Sequence, residues 1–124
     1  MFFVILFFGK IEIMTRTKAA AFYRVAPEKL NCAQCILKAF QTQLNIEDEL
    51  IATFRKHGGG RAPEGICGAL YAVDYLLAQQ GKNSVQAEFL QKANAITCLE
   101  LKKRRKVSCE MCVTIAEKLA LEYL

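Results

Sequence analysis

Three consecutive glycines, Gly58, Gly59 and Gly60, constrain this chain more than any other feature. No helix or strand tolerates that much backbone freedom, so one segment must end there. Pro63 and Glu64 follow. They suit the first turn of a new helix, Pro63 with its φ preset and Glu64 facing the positive helix end. Gly65 and Gly68 then flank Cys67 and leave it little side-chain cover. The stretch 57–69 therefore delivers a thiol into the opening turns of a helix, where ionisation is eased. The plainer alternative is a glycine-rich loop leading into a core helix with a buried cysteine. The positions of the other five cysteines bear on that choice.

The chain has 124 residues, enough for one domain with a modest core. Hydrophobic residues make up 53% and charged residues 23%, a globular balance. Much of the net charge of +5 comes from Lys102, Lys103, Arg104, Arg105 and Lys106. A run of this kind reads as a solvated face or loop. No aromatic residue is interleaved with it, so no nucleic-acid partner is expected.

Six cysteines would form disulfides after secretion. The chain begins Met-Phe-Phe-Val-Ile-Leu-Phe-Phe, with no positive n-region and no small-residue cleavage site. The apolar run is far shorter than the roughly 20 residues of a membrane span. Residues 1–13 are therefore read as an N-terminal extension or a loosely packed strand-like tail, outside the core. A degenerate signal peptide or anchor is the alternative. Residues 14–124 are expected to form a single helical, cysteine-rich domain located in the cytoplasm, where free thiols, metal sites and redox cysteines belong.

The apolar spacing predicts helices throughout. A short Ala-rich helix covers 17–25, and Pro27 interrupts it or opens the next. Asn31 has the character of an N-cap with Gln34 at the third helical position, starting a helix to about Leu44. A further helix, 47–56, ends at the triple glycine. The helix 63–80 is apolar on most sides and is expected at the centre. Asn83 or Ser84 caps the next, which ends near Ala95. Thr97 and Glu100 have capping-box spacing, so a short helix starts at Cys98, and Ser108 caps the last helix. The expected fold is an all-α bundle of five to seven helices, with the glycine-rich loop before the central one.

The caps and the thiols coincide. Cys32 follows Asn31, Cys98 follows Thr97, Cys109 follows Ser108, and Cys67 lies shortly after Pro63. Burial alone gives no reason for four cysteines at four helix starts. Cys35 and Cys112 each stand three residues further on, so both pairs are Cys-x-x-Cys on a first helical turn. That spacing permits a disulfide, metal chelation or thiol exchange. Cys35 and Cys112 also occupy apolar-stripe positions, so simple packing would account for either.

The segments Asn31-Cys32-Ala33-Gln34, Gly58-Gly59-Gly60 leading to Gly65-Ile66-Cys67-Gly68-Ala69, then Cys98 and Cys109, form a pattern. It resembles a small bacterial and archaeal family of redox-active proteins, named for its Cys, Gly-Cys-Ala-x-x-Gly, Cys, Cys motif. The resemblance runs from about Lys18 to the C-terminus. It implies an all-helical fold, four shared cysteines at Cys32, Cys67, Cys98 and Cys109, and redox or metal chemistry. The last glycine of the motif is Ala72 here, the spacer between Cys98 and Cys109 is short and basic, and Cys35 and Cys112 stand outside the shared pattern.

Three functions follow. The first is thiol–disulfide exchange among cysteines at helix N-termini, with Cys32/Cys35 and Cys109/Cys112 as dithiol pairs facing Cys67 and Cys98, serving an unidentified redox partner. The second is a metal or iron–sulfur protein, with Cys32, Cys67, Cys98 and Cys109 holding Zn²⁺ or a cluster. The third is a non-enzymatic helical binding module. Covalent haem is not expected, because Ile36 and Val113 stand where His would be needed. Other polar groups read more simply: His57 as a cation at a helix C-terminus, Arg61 as a surface residue, and Asp74 as a solvated or hydrogen-bonded carboxylate. Tyr71 shares the Cys67 face of its helix.

Overall fold

Asn31 starts the first long helix, and a computed structural model, described over residues 18–124, shows how the rest follows. The expected extension at 1–13 lies outside the described residues. The helices are α1 (Lys18–Ala21), α2 (Cys32–Ala39), α3 (Gln41–Leu44), α4 (Asp48–Thr53), α5 (Gly68–Gln79), α6 (Gln86–Ala93) and α7 (Cys109–Tyr123). Short 3-10 turns at Phe54–His57 and Pro63–Gly65, and a π-helical turn at Glu100–Arg104, join them. Among the described residues there is no β-strand, only isolated bridges between Tyr23 and Leu30 and between Ile66 and Thr97. The all-α class is as expected, and no helix of the described residues is long and apolar enough to cross a membrane.

α5 lies at the centre and packs on both α2 and α7, which also pack on each other. Its Ala69, Leu70, Ala72, Val73, Leu76 and Leu77 are all buried, as a helix apolar on most sides requires. Ile36 and Leu37 of α2 and Val113, Ala116, Leu119 and Ala120 of α7 complete this core. Each large aliphatic side chain buried there contributes roughly 1.5–3 kcal/mol. α1 covers the seam between α2 and α7, and α6 packs on α7.

Several boundaries differ from expectation. α1 ends at Ala21, and Pro27 follows a cis peptide inside the turn 24–30 and opens no helix. The helix begun at Asn31 breaks at Phe40 (φ −104°, ψ 9°), and α3 closes with Asn45 in the left-handed region. The most consequential difference is at 63–67. Glu64 (φ 62°) and Gly65 (φ 73°) turn the chain out of the helix that Pro63 was expected to open. Ile66 is extended, Cys67 (φ −51°, ψ 129°) is still non-helical, and the central helix begins at Gly68. α6 starts at Gln86 with Val85 as its cap, two residues later than a cap at Asn83 and one later than a cap at Ser84 would place it. The cause is Asp74 of α5, which accepts from the Ser84 hydroxyl at 2.7 Å and the Val85 amide at 2.9 Å.

Candidate functional site

The site is assembled by local bonds at the start of each helix. The Asn31 side chain accepts from the Gln34 amide at 2.9 Å, and the Gln34 side chain accepts from the Asn31 amide at 3.1 Å. This is the expected capping box, and it is buried because it also clamps the neighbouring segment. Asn31 Nδ2 donates to the Arg55 carbonyl at 2.9 Å, and Gln34 Nε2 donates to the Ile51 carbonyl at 2.9 Å. Cys32, the first residue of α2, is thereby fixed against the loop that carries the triple glycine.

Cys67 is the N-cap of α5. Its amide donates to the Ile96 carbonyl at 2.8 Å, beside the antiparallel bridge between Ile66 and Thr97. That pairing ties the start of α5 to the residue preceding Cys98. The Thr97 hydroxyl accepts from the Glu100 amide at 3.3 Å, which is half of the capping box anticipated there. The Val107 amide then donates to the Leu101 carbonyl at 2.8 Å and turns the basic stretch back toward Ser108. The Ser108 hydroxyl accepts from the Met111 amide at 3.1 Å and starts α7 with Cys109.

Cys32, Cys67, Cys98, Cys109 and Cys112 consequently line one cavity, with Leu101 and Val107 as its apolar wall. Its volume is about 10 Å³, room for about one water molecule. All six cysteines are free thiols. Cys35 is buried outside this cavity, its sulfur 4.0 Å from the Leu30 carbonyl oxygen. The Cys-x-x-Cys of α7 thus sends both sulfurs to the cavity, while that of α2 sends only Cys32.

Glycine makes the packing possible. A Cβ on Gly68 would lie 2.8 Å from the Cys32 sulfur and 2.6 Å from the His57 carbonyl oxygen. Gly60, at φ 81°, lays the glycine-rich loop against Cys98, with 3.6 Å between a Cβ there and that of Cys98.

Burial dominates the electrostatics. It pushes the Cys32 thiol up to about 12, with the Cys67, Cys109 and Cys98 sulfurs adding to the effect and the Ala33 amide opposing it. Cys67 is raised well above the usual thiol value, first by its hydrogen bond with Cys112 and then by burial, against the pull of the Leu70 and Ala69 amides. Burial also raises Cys98, while the Lys102 ammonium opposes it. Burial pushes Cys35 up to about 12 as well. The expectation of eased ionisation therefore fails for Cys32, Cys67 and Cys98: helix amides do act on Cys32 and Cys67, but loss of water outweighs them.

Cys109 is part-exposed, with two neighbours that sequence reasoning missed. The Lys102 amine and the Tyr23 hydroxyl both hydrogen-bond its sulfur, and each group's own pKa is raised. For Lys102 this bond is the leading cause; for Tyr23, burial comes first. Lys102 had a signal, since it stands four residues after Cys98, one helical turn on. Tyr23 had none, because the turn between Tyr23 and Leu30 brings it in from far along the chain.

The remaining candidates lie apart from the sulfurs. His57 packs against Tyr71, with 4.6 Å between ring centroids, and against Phe54 at 5.0 Å. Burial and the Lys56 charge lower its pKa. Arg61 donates to the Gly58 and Arg55 carbonyls, both at 3.0 Å, and so braces the glycine loop. Asp74 is the hydrogen-bonded carboxylate described above. A larger cavity of about 470 Å³ lies elsewhere, among Glu28, Gln34, Lys38, Asp48 and Arg55, and no cysteine lines it.

Four thiols are suitable donors for Zn²⁺ or an iron–sulfur cluster. Among the described residues, however, no group of three or more Cys, His, Asp or Glu side chains is spaced to hold a metal ion. The cavity sulfurs are neighbours without being drawn to ligand geometry. Comparison with known protein families, with curated proteins and with solved structures finds no match.

Proposed function

We propose that this protein is a thiol–disulfide exchange protein whose working groups are the cavity cysteines. One observation supports this above all: five sulfurs from four separate chain segments border a single cavity the size of one water molecule, with an ammonium at its edge. Cys109 is the entry thiol, being part-exposed and held by Lys102 and Tyr23. Cys98 is its partner, also part-exposed and interacting with Cys109 and Lys102. Cys67 and Cys112 form a deeper pair, already hydrogen-bonded to each other.

The Cys109 thiolate attacks one sulfur of a disulfide R–S–S–R′. That S–S bond breaks, a bond from Cys109 to R–S forms, and R′–S⁻ leaves and takes up a proton. Cys98 then gives up its proton and attacks the Cys109 sulfur. This forms the Cys98–Cys109 disulfide and releases R–S⁻, which is protonated in turn. Two electrons and two protons have passed from the protein dithiol to the substrate. The Cys67/Cys112 dithiol can reduce the outer disulfide by the same exchange, and an external dithiol, itself oxidised to a disulfide, restores the starting state.

The test is anaerobic incubation of the reduced protein with a neutral peptide disulfide, counting thiols lost from the protein and gained by the peptide. The expected result is two protein thiols lost per disulfide reduced, abolished in Cys109→Ser and retained in Cys35→Ser. Absence of exchange, or a stoichiometric metal found by elemental analysis of anaerobically purified protein, would overturn the reading in favour of a binding module or a metal protein.

A further inference from the structure

We infer that the mouth of the cysteine cavity docks an acidic protein surface that carries the partner disulfide or dithiol. This rests on the exchange reading above and names the partner class for that same site. A cavity of about 10 Å³ admits no organic ligand, so the partner sulfur must meet Cys109 and Cys98 at the rim. Recognition therefore falls to what surrounds those two thiols.

Lys102 lines the cavity and opens a basic run. Lys102, Lys103, Arg104, Arg105 and Lys106 are exposed in unbroken succession between Cys98 and Cys109. The same stretch holds the carboxylates Glu100 and Glu110, and Glu100 pairs with Arg104 at 3.3 Å. Arg24 adds a cation whose charge acts on both Cys109 and Cys32. Two large apolar side chains close in sequence to Cys98 and Cys109 are also exposed. Leu99, next to Cys98, is 63% exposed, and Met111, in the first turn of α7 with Cys109, is 51% exposed. Exposed Met and Arg are residue types favoured at protein-docking surfaces, Met being adaptable and Arg enriched there. Complementary charge speeds encounter with an acidic partner and selects against basic ones.

The experiment uses the reduced full chain and three synthetic peptide disulfides with the same apolar residue beside cysteine, flanked by Asp/Glu, by Ser/Gln or by Lys/Arg. The acidic peptide is expected to react at least about tenfold faster than the basic one at low salt, with the gap closing in high salt. Lys103→Glu with Arg105→Glu should remove or invert that order, whereas Lys56→Glu with Lys92→Glu, of equal charge change away from the cavity lining, should preserve it. Leu99→Ser with Met111→Ser should slow the acidic peptide several-fold. Equal rates for all three peptides would overturn the docking inference and leave exchange standing. No reaction with any of them would instead sink the exchange reading. Glutathione disulfide reacting as fast as the acidic peptide, unaffected by the Leu99 and Met111 changes, would replace the protein surface with a small anionic disulfide.

Discussion

Gly68 stands so close to Cys32 that a methyl group added there would lie 2.8 Å from the sulfur, and 2.6 Å from the His57 carbonyl oxygen on its other side. The start of α5 is thus wedged between the start of α2 and the end of the 3-10 turn that precedes the glycines. Gly68→Ala is expected to destabilise the fold by about 1–3 kcal/mol, the usual cost of overfilling a packed site. Urea denaturation measures it; an unchanged midpoint would mean that the wedge is loose.

Asn31 is a second joint, since one amide both caps α2 and holds the start of the Phe54–His57 turn in place. Asn31→Ala should cost about 2 kcal/mol, combining a lost cap with carbonyls left without a donor. Asn31→Asp keeps the acceptor for the Gln34 amide and loses the donor to Arg55. It should therefore recover only part of the loss in the same denaturation experiment.

Alkaline pH should weaken the fold through the buried thiols. Cys32 ionises at about 12 in the folded protein against 9.0 as its ordinary value, and Cys67 and Cys98 shift in the same direction. Below pH 9 both states keep the proton and nothing changes. Between pH 9 and 12 the unfolded chain releases the proton first, so stability falls by up to about 1.4 kcal/mol per pH unit for each such thiol. Denaturation midpoints at pH 8 and 10.5 should separate, and Cys32→Ala should narrow that separation. Equal narrowing by an Ala substitution at an exposed tyrosine would point to another titrating group.

Thiol accessibility should follow depth. Cys98 and Cys109 are part-exposed, and the other four cysteines are buried. Brief alkylation of the native reduced protein, mapped by mass spectrometry, is expected to label Cys98 and Cys109 first. Cys32, Cys35, Cys67 and Cys112 should be labelled only in denaturant. Early labelling of Cys67 or Cys112 would contradict an enclosed inner pair.

What the sequence made legible was local. Asn31 and Ser108 act as caps because a short polar side chain reaches its own helix, which spacing alone reveals. The central place of α5 followed from its apolar surface. The start of that helix was misread because Pro63 and Glu64 carry the composition of a first turn, while the backbone leaves the helical region at Glu64 and Gly65. The correction places Cys67 more firmly at a helix end, as the cap itself. Cys35 and Cys112 have identical spacing from their partners, yet only Cys112 reaches the cavity. Which sulfur turns inward depends on how α2 and α7 are rotated against α5, and that is set by tertiary packing. Glu117 was also missed: it is 4% exposed within the apolar face of α7 and accepts from the Ala19 amide at 2.8 Å, fixing α1 to α7. A carboxylate in such a stripe reads as a surface residue until its distant partner is known.

The most direct measurement is non-reducing peptide mapping after stoichiometric oxidation of the reduced protein by a small disulfide. The account predicts cross-links between Cys98 and Cys109 and between Cys67 and Cys112, with Cys35 still a thiol. Cross-links confined to Cys32–Cys35 and Cys109–Cys112, or an oxidant that leaves all six thiols intact, would contradict it.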